Sequence, residues 1–343
     1  MGETLMKTLR IIGCAVVVLA VAASAFAGNE GRIGTAGAQE LRIPVGSRGI
    51  AMGGAAIASM TGTEAIFWNP AGVAEIEGTE VAFSHQSYIA DLNVNFAAIA
   101  TNVGDLGTVA FSAKVLTMDD IEVTTVDHPE GTGEVFAPTF SVFTLTYSRR
   151  LTDRVAFGIN GMLINESILR ESATGLAFDF GFTYDPDWRG LTFGAVIKNW
   201  GPQMRFDGPD FDVDIQIPGS DPNSPNKTVR TRSTSFELPS SVQLGMAYEM
   251  ISQNRSTVVL NGTFQSNNFN NDVIRLGGEY AYDDAVFLRG GYSVSDQDEY
   301  IDGLTLGFGL GFNMGETRMI FDYSWAQTEY FDDRQFYTVK IQF

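Results

Sequence analysis

Cysteine is almost absent from this chain of 343 residues: it occurs once, at Cys14. Histidine occurs twice, at His85 and His128. Basic residues are scarce, with 22 Lys and Arg against 41 Asp and Glu, for a net charge of −19. Apolar runs of about 20 residues, the length of a membrane helix, do not recur along the chain, which excludes a polytopic helical membrane protein. The acidity argues against nucleic-acid partners, which need basic stripes. Two separated histidines offer neither a metal cluster nor a catalytic dyad. No serine is singled out with a base and an orienting group, as nucleophilic catalysis requires. The expectation is a non-enzymatic protein with no catalytic residue, no metal and no cofactor.

The one cysteine lies in a segment that reads as an export signal. Lys7 and Arg10 precede an apolar stretch over 11–23, and Ala25-Phe26-Ala27 fits the small-x-small cleavage rule. Residues 1–27 are therefore expected to be removed, leaving a mature chain from Gly28 without cysteine. That excludes thiol catalysis and thiolate-bound zinc in the mature form.

What is abundant is glycine, with 37 residues, and aromatic side chains, 12% of the chain. From Thr79 onward these fall into period-two patterns. Leu176, Phe178, Phe180, Phe182 and Tyr184 alternate with Ala177, Asp179, Gly181 and Thr183; Leu304, Leu306, Phe308, Leu310 and Phe312 alternate with small or polar residues. Side chains on a strand point to opposite faces in turn, so each segment has one apolar and one small or polar face. Fourteen such segments are expected, over 79–85, 91–103, 107–118, 138–150, 154–167, 174–185, 189–200, 237–250, 255–266, 272–283, 285–295, 302–314, 316–327 and 334–343. Most exceed the five or six residues of a soluble strand and reach the 9–11 that a tilted membrane strand needs. A soluble β-sandwich or propeller would explain the strands but neither their length nor their aromatic apolar face.

The connections fall into two classes. Tight ones are read at 104–106, 151–153, 186–188, 251–254, 284 and 315. Longer ones are read at 86–90, 117–137, 168–173, 201–236, 267–271, 296–301 and 328–333. Short turns on one rim and long loops on the other is the arrangement of outer-membrane barrels. The fold expected is all-β, a transmembrane antiparallel β-barrel of about 14 strands over 79–343. The 117–137 loop carries six acidic residues and no Lys or Arg. The 201–236 loop has a proline-rich middle from Pro218 to Pro225 that argues against a simple hairpin. The last strand alternates Tyr337, Val339, Ile341 and Phe343 with Thr338, Lys340 and Gln342; its terminal aromatic, Phe343, is similar to the signal read by the barrel assembly machinery.

By parity, the inward face carries Lys114, Asp179, Lys198, Glu249, Arg275, Glu279, Arg289, Asp322 and Lys340. Both signs are mixed. This lining either recognises a charged solute or forms salt bridges that hold a plug.

Between signal and barrel lies a small, apolar stretch, 46–74, reading GSRGIAMGGAAIASMTGTEAIFWNPAGVA. Residues 28–78 are expected to form a plug inside the wall, with Gly46, Met52, Gly53, Gly54, Trp68, Asn69, Pro70, Ala71 and Gly72 as its motif. This stretch resembles the N-terminal signature of the PorV/PorQ family of outer-membrane proteins, itself similar to the FadL-type fatty-acid transporters. The resemblance implies a fourteen-stranded barrel with an N-terminal hatch. It also implies one of two roles. A PorV-type protein would serve secretion and surface attachment, in a type IX secretion-like system, with secretion proteins and exported cargo as partners. A FadL-type protein would move small hydrophobic molecules. The compact length favours the PorV/PorQ role. The implied setting is the bacterial outer membrane, with its lipid as partner.

Overall fold

The computed structural model describes residues 30–343 except 91, 217–220, 222–224, 254 and 296–301. The expected signal segment, 1–27, lies outside the described residues. Fourteen long strands form one closed antiparallel ring. In chain order they are β1 (Thr79–Ser87), β2 (Asn93–Asn102), β3 (Thr108–Thr117), β4 (Thr139–Thr152), β5 (Val155–Ile168), β6 (Glu171–Tyr184) and β7 (Leu191–Trp200). They continue as β8 (Ser241–Gln253), β9 (Ser256–Asn267), β10 (Val273–Tyr282), β11 (Val286–Ser295), β12 (Asp302–Met314), β13 (Thr317–Thr328) and β14 (Arg334–Gln342). Each pairs with its neighbour in sequence. The ring closes where β14 pairs with β1, from Glu80 opposite Gln342 to Ser87 opposite Gln335. Thr79 and Phe343 exchange backbone hydrogen bonds across this seam. Closure leaves no unpaired edge, the condition for a sheet in lipid.

The period-two pattern has the physical outcome it implies. Outward residues such as Phe83, Phe111, Leu145, Leu244, Leu276 and Leu306 are exposed on the barrel's outer surface. Inward neighbours such as Ala82, Ala110, Thr146, Gln243 and Thr305 are buried. An apolar belt of this extent on strands mostly of 10–14 residues is the lipid-facing surface of a transmembrane barrel. Among the described residues no helix is long and apolar enough to cross a membrane.

One loop reading needs correction. The expected long connection over 168–173 is a tight turn, because β5 runs to Ile168 and β6 begins at Glu171. Leu169 takes a left-handed φ of 55° to close it. The polar residues there extend the hairpin instead of breaking it. In the 201–236 loop, Asp212–Ile215 and Lys227–Arg230 do pair as a small antiparallel ribbon, with most of 218–225 outside the described residues. The loop is still not a plain hairpin. Phe206–Asp207 pairs back onto β6, and Met204 bridges to Phe236. Three aspartates of this loop face cations. Arg230 bonds Asp212 at 2.6 Å and lies 3.4 Å from Asp207, and Arg170 lies 3.1 Å from Asp210. The Arg230 guanidinium holds the Asp212 carboxyl below its ordinary pKa.

Candidate functional site

Residues 30–78 form two short helices, α1 (Ser47–Ala51) and α2 (Ala65–Trp68), joined by turns. Their contacts go to inward-facing side chains around the ring. Ser47 N donates to Thr338 Oγ1 on β14 (2.9 Å), and Thr63 N donates to Glu80 on β1 (2.6 Å). Thr263 on β9 donates to Ala55 O (2.7 Å) and Thr305 on β12 to Ala51 O (3.0 Å). Ser148 on β4 donates to Ala71 O (3.1 Å), and Asn160 on β5 to Ile66 O (2.8 Å). Backbone groups of the segment that its own turns leave unpaired are satisfied by the polar face of the strands.

Close approach is the other half of the fit. A Cβ added to Gly158 on β5 would lie 2.2 Å from Pro70 C, and one on Gly181 on β6 would lie 2.1 Å from Asn69 Oδ1. Glycine on these strands therefore makes room for the Asn69-Pro70 turn. Asn69 is fully buried. Its side chain accepts from Ala71 N (3.1 Å) and donates to Ile57 O (2.8 Å) and Phe182 O (3.2 Å). It thus caps the 3-10 turn Pro70–Glu75 and ties it to the wall. Trp68 Nε1 donates to Val45 O at 3.0 Å. Gly53 and Gly54 take φ values of +64° and +75° in the turn after α1, where an L side chain is strained. Met52 and Ala71 are fully buried, and a Cβ on Gly72 would lie 1.9 Å from Met60 O. Gly46 sits against Glu64 with φ +82°.

The inward charges separate into two groups. On β10 to β14 they form an unbroken chain. Arg48 of α1 bonds Glu279 (2.9 Å), Glu279 bonds Arg289 (2.6 Å), Arg289 bonds Asp322 (2.5 Å), and Lys340 bridges Asp322 and Glu64, both at 3.0 Å. Three cations and three anions alternate, so the buried charge balances. The two ends, Arg48 and Glu64, belong to the N-terminal segment. On the other side, Lys114 donates to Glu40 O (2.7 Å) and Ile43 O (3.2 Å), and Lys198 donates to Phe67 O (2.7 Å) while standing 3.5 Å over the Phe67 ring. Asp179 accepts from Asn160 (2.9 Å) and from Asn199 N (2.7 Å). Arg275 bonds Gln265. Glu249 shares the inward parity but is exposed at the short-turn rim, where the ladder bulges between Glu249 and Ile251. Phe343 is exposed at the end of the closing seam. Among the described residues no group of three or more His, Cys, Asp or Glu is placed to hold a metal ion.

Between this segment, including its residues 35–44, and the wall on the long-loop side lies a cavity of about 870 Å³. Its loop end is lined by Tyr88, Ile89, Phe206, Phe236 and Asn270, and its floor by Gly53, Gly54, Phe67, Trp68 and Lys198. Leu92, Leu116, Phe140 and Phe336 give it an aromatic and aliphatic wall. A second, smaller space of about 240 Å³ lies on the short-turn side, between Ala58–Thr61 and the ends of β4 to β7. The floor residues Phe67 and Trp68 do not line it. Sequence reasoning did not find the cavity wall, because its lining comes from loop ends and non-adjacent strands. Of the floor, Gly53, Gly54 and Trp68 fall within the motif singled out from the sequence and Lys198 among its inward charges; Phe67 does not.

No protein-family model and no curated protein matches this chain. Solved structures do. The Pseudomonas putida toluene transporter TodX superposes with a TM-score of 0.53 at 14% identity, over 87% of this chain and 96% of that one. A Pseudomonas aeruginosa FadL homologue gives 0.52 at 13%, over 88% and 98%. The CymD monoaromatic hydrocarbon channel gives 0.51 at 14%, over 87% and 96%. The fold is a FadL-like barrel. At these identities the likeness establishes this FadL-like architecture alone.

Proposed function

We propose that this protein is an outer-membrane channel for small hydrophobic molecules, with residues 28–78 as a hatch in a barrel formed by 79–343. The observation that carries this reading is the cavity of about 870 Å³, running from the long loops to Phe67 and Trp68, with Leu92, Leu116, Phe140 and Phe336 as an apolar wall on one side and polar groups on the rest. Ligand sites are concave, mostly apolar and completed by a few placed polar groups, and this one ends on the element that blocks the lumen. FadL-like neighbours whose names specify a toluene transporter and a monoaromatic hydrocarbon channel support the same reading. The partners are then membrane lipid and a small hydrophobic molecule, and Phe343 is read as the signal to the barrel assembly machinery. The secretion role implied by the PorV/PorQ resemblance finds no support in the neighbours. The test is uptake of toluene into proteoliposomes holding the protein. Entry no faster than into liposomes holding a barrel filled at Leu116 would end this reading.

A further inference from the structure

Two carboxyl groups meet where the N-terminal segment joins the wall. Ala38 and Leu41 pack with Val142 and Ile164 on the inner face of β4 and β5, which lays residues 38–43 along the wall as a strap. Glu166 is the next inward residue of β5 after Ile164, and its carboxyl meets that of Glu40. Both residues are buried, and both line the cavity. Among the described residues no N–H or hydroxyl donates to Glu40 Oε1.

The charges around this contact do not balance as those on β10 to β14 do. Asp179 on β6 answers Lys198 on β7. Glu40 and Glu166 are left with the single ammonium of Lys114 on β3. Lys114 donates to Glu40 O and Ile43 O, so it grips the backbone of the strap and not its carboxyl. The cross-strand neighbours of Glu166, Phe140 and Ala173, are neutral. On the strap itself Arg42 is exposed and bonds Gln39. Two carboxylates sharing a buried site cannot both ionise, and one proton is held between them. Burial accordingly pushes the Glu40 carboxyl above its ordinary value, with Lys114 opposing it only in part.

We infer that Glu40 and Glu166 form a proton-operated clasp: while they share one proton the strap stays on the wall, and loss of that proton frees it and widens the cavity. With both groups ionised, Lys114 is drawn from the two carbonyls to the carboxylates, so the strap loses its backbone ties as well. The seated strap holds a proton that the freed strap gives up. Seating is therefore complete at acid pH, below the ordinary glutamate range, and is lost as pH rises through the raised value, tenfold per pH unit for one proton. The inference rests on the strap and its charges and not on what the channel carries.

The experiment follows hydrogen exchange over 35–44 in the purified full barrel in lipid nanodiscs. Each rate is set against a free peptide of the same sequence at equal pH, so that the intrinsic acceleration by base cancels. Protection in the wild type is expected to fall at least ~10-fold between about pH 5.5 and about pH 8.5, a range in which a buried glutamate pair titrates. Strands β4 and β5 should stay protected throughout. In Glu40→Gln, and separately in Glu166→Gln, an amide N–H replaces the shared proton and cannot be lost, so protection over 35–44 should be the same at both pH values. Wild-type protection that does not change with pH overturns the inference. So does a fall that the strands share, or one that both variants repeat. Loss of protection on adding EDTA at about pH 5.5, where the proton alone should suffice, would mean that a divalent cation joins the carboxylates, and overturns it too. None of these results bears on toluene uptake, so the channel reading stands or falls separately.

Discussion

Lys340, in the last strand, lies 3.0 Å from Glu64, in the N-terminal segment. The strand that closes the wall thus also grips what the wall encloses. The same ammonium reaches Asp322, and through Arg289 and Glu279 the chain returns to Arg48 of that segment. Barrel closure and seating of the N-terminal segment are coupled through one balanced line of buried charge.

Lys340→Met should therefore cost more than a lost contact. It leaves Glu64 and Asp322 buried with one cation fewer, and breaking one partner of a buried pair costs about 3–5 kcal/mol. The midpoint of urea unfolding, followed by the loss of heat-modifiable gel migration, should fall. Adding Glu64→Leu should recover much of the loss, because the uncompensated charge goes with it.

Gly181→Val should unseat the N-terminal segment and leave the barrel standing. The added side chain occupies the place of Asn69 Oδ1, while its own strand keeps its ladder with β5 and β7. Trypsin added to the purified protein should then cut at Arg48, which the folded protein protects, with the barrel fragment still heat-modifiable.

Asn69→Ala should act on the same element more mildly. It removes a cap and two ties to carbonyls, each worth about 1 kcal/mol with a further cost for buried groups left bare. Hydrogen exchange over 65–75 should quicken at least ~10-fold while the strands exchange as before, since about 1.4 kcal/mol is a factor of ten.

Filling the cavity should stop transport without touching the segment. Leu116 lies on the inner face of β3 and lines the cavity. Leu116→Trp should lower toluene uptake several-fold, with the unfolding midpoint falling by no more than an overpacking cost of about 1–3 kcal/mol.

The barrel was legible because period-two alternation is dictated by the strand backbone and survives averaging over the chain. Strand positions such as 302–314 were read at their observed bounds. The tight turn at Leu169–Arg170 was misread because polar residues mark the water boundary as readily as a loop. Parity named the inward charges, yet it could not say that Lys340, Asp322, Arg289 and Glu279 join into one chain while Lys114 and Lys198 turn to backbone carbonyls. That division depends on where the N-terminal segment lies in the lumen.

The central claim is passage of a small hydrophobic molecule through this cavity. Its most direct measurement is the initial rate of toluene entry into proteoliposomes holding the wild-type protein, set beside Leu116→Trp at equal barrel content. The account predicts wild-type entry several-fold above both the filled variant and protein-free liposomes. Equal rates in all three would contradict it.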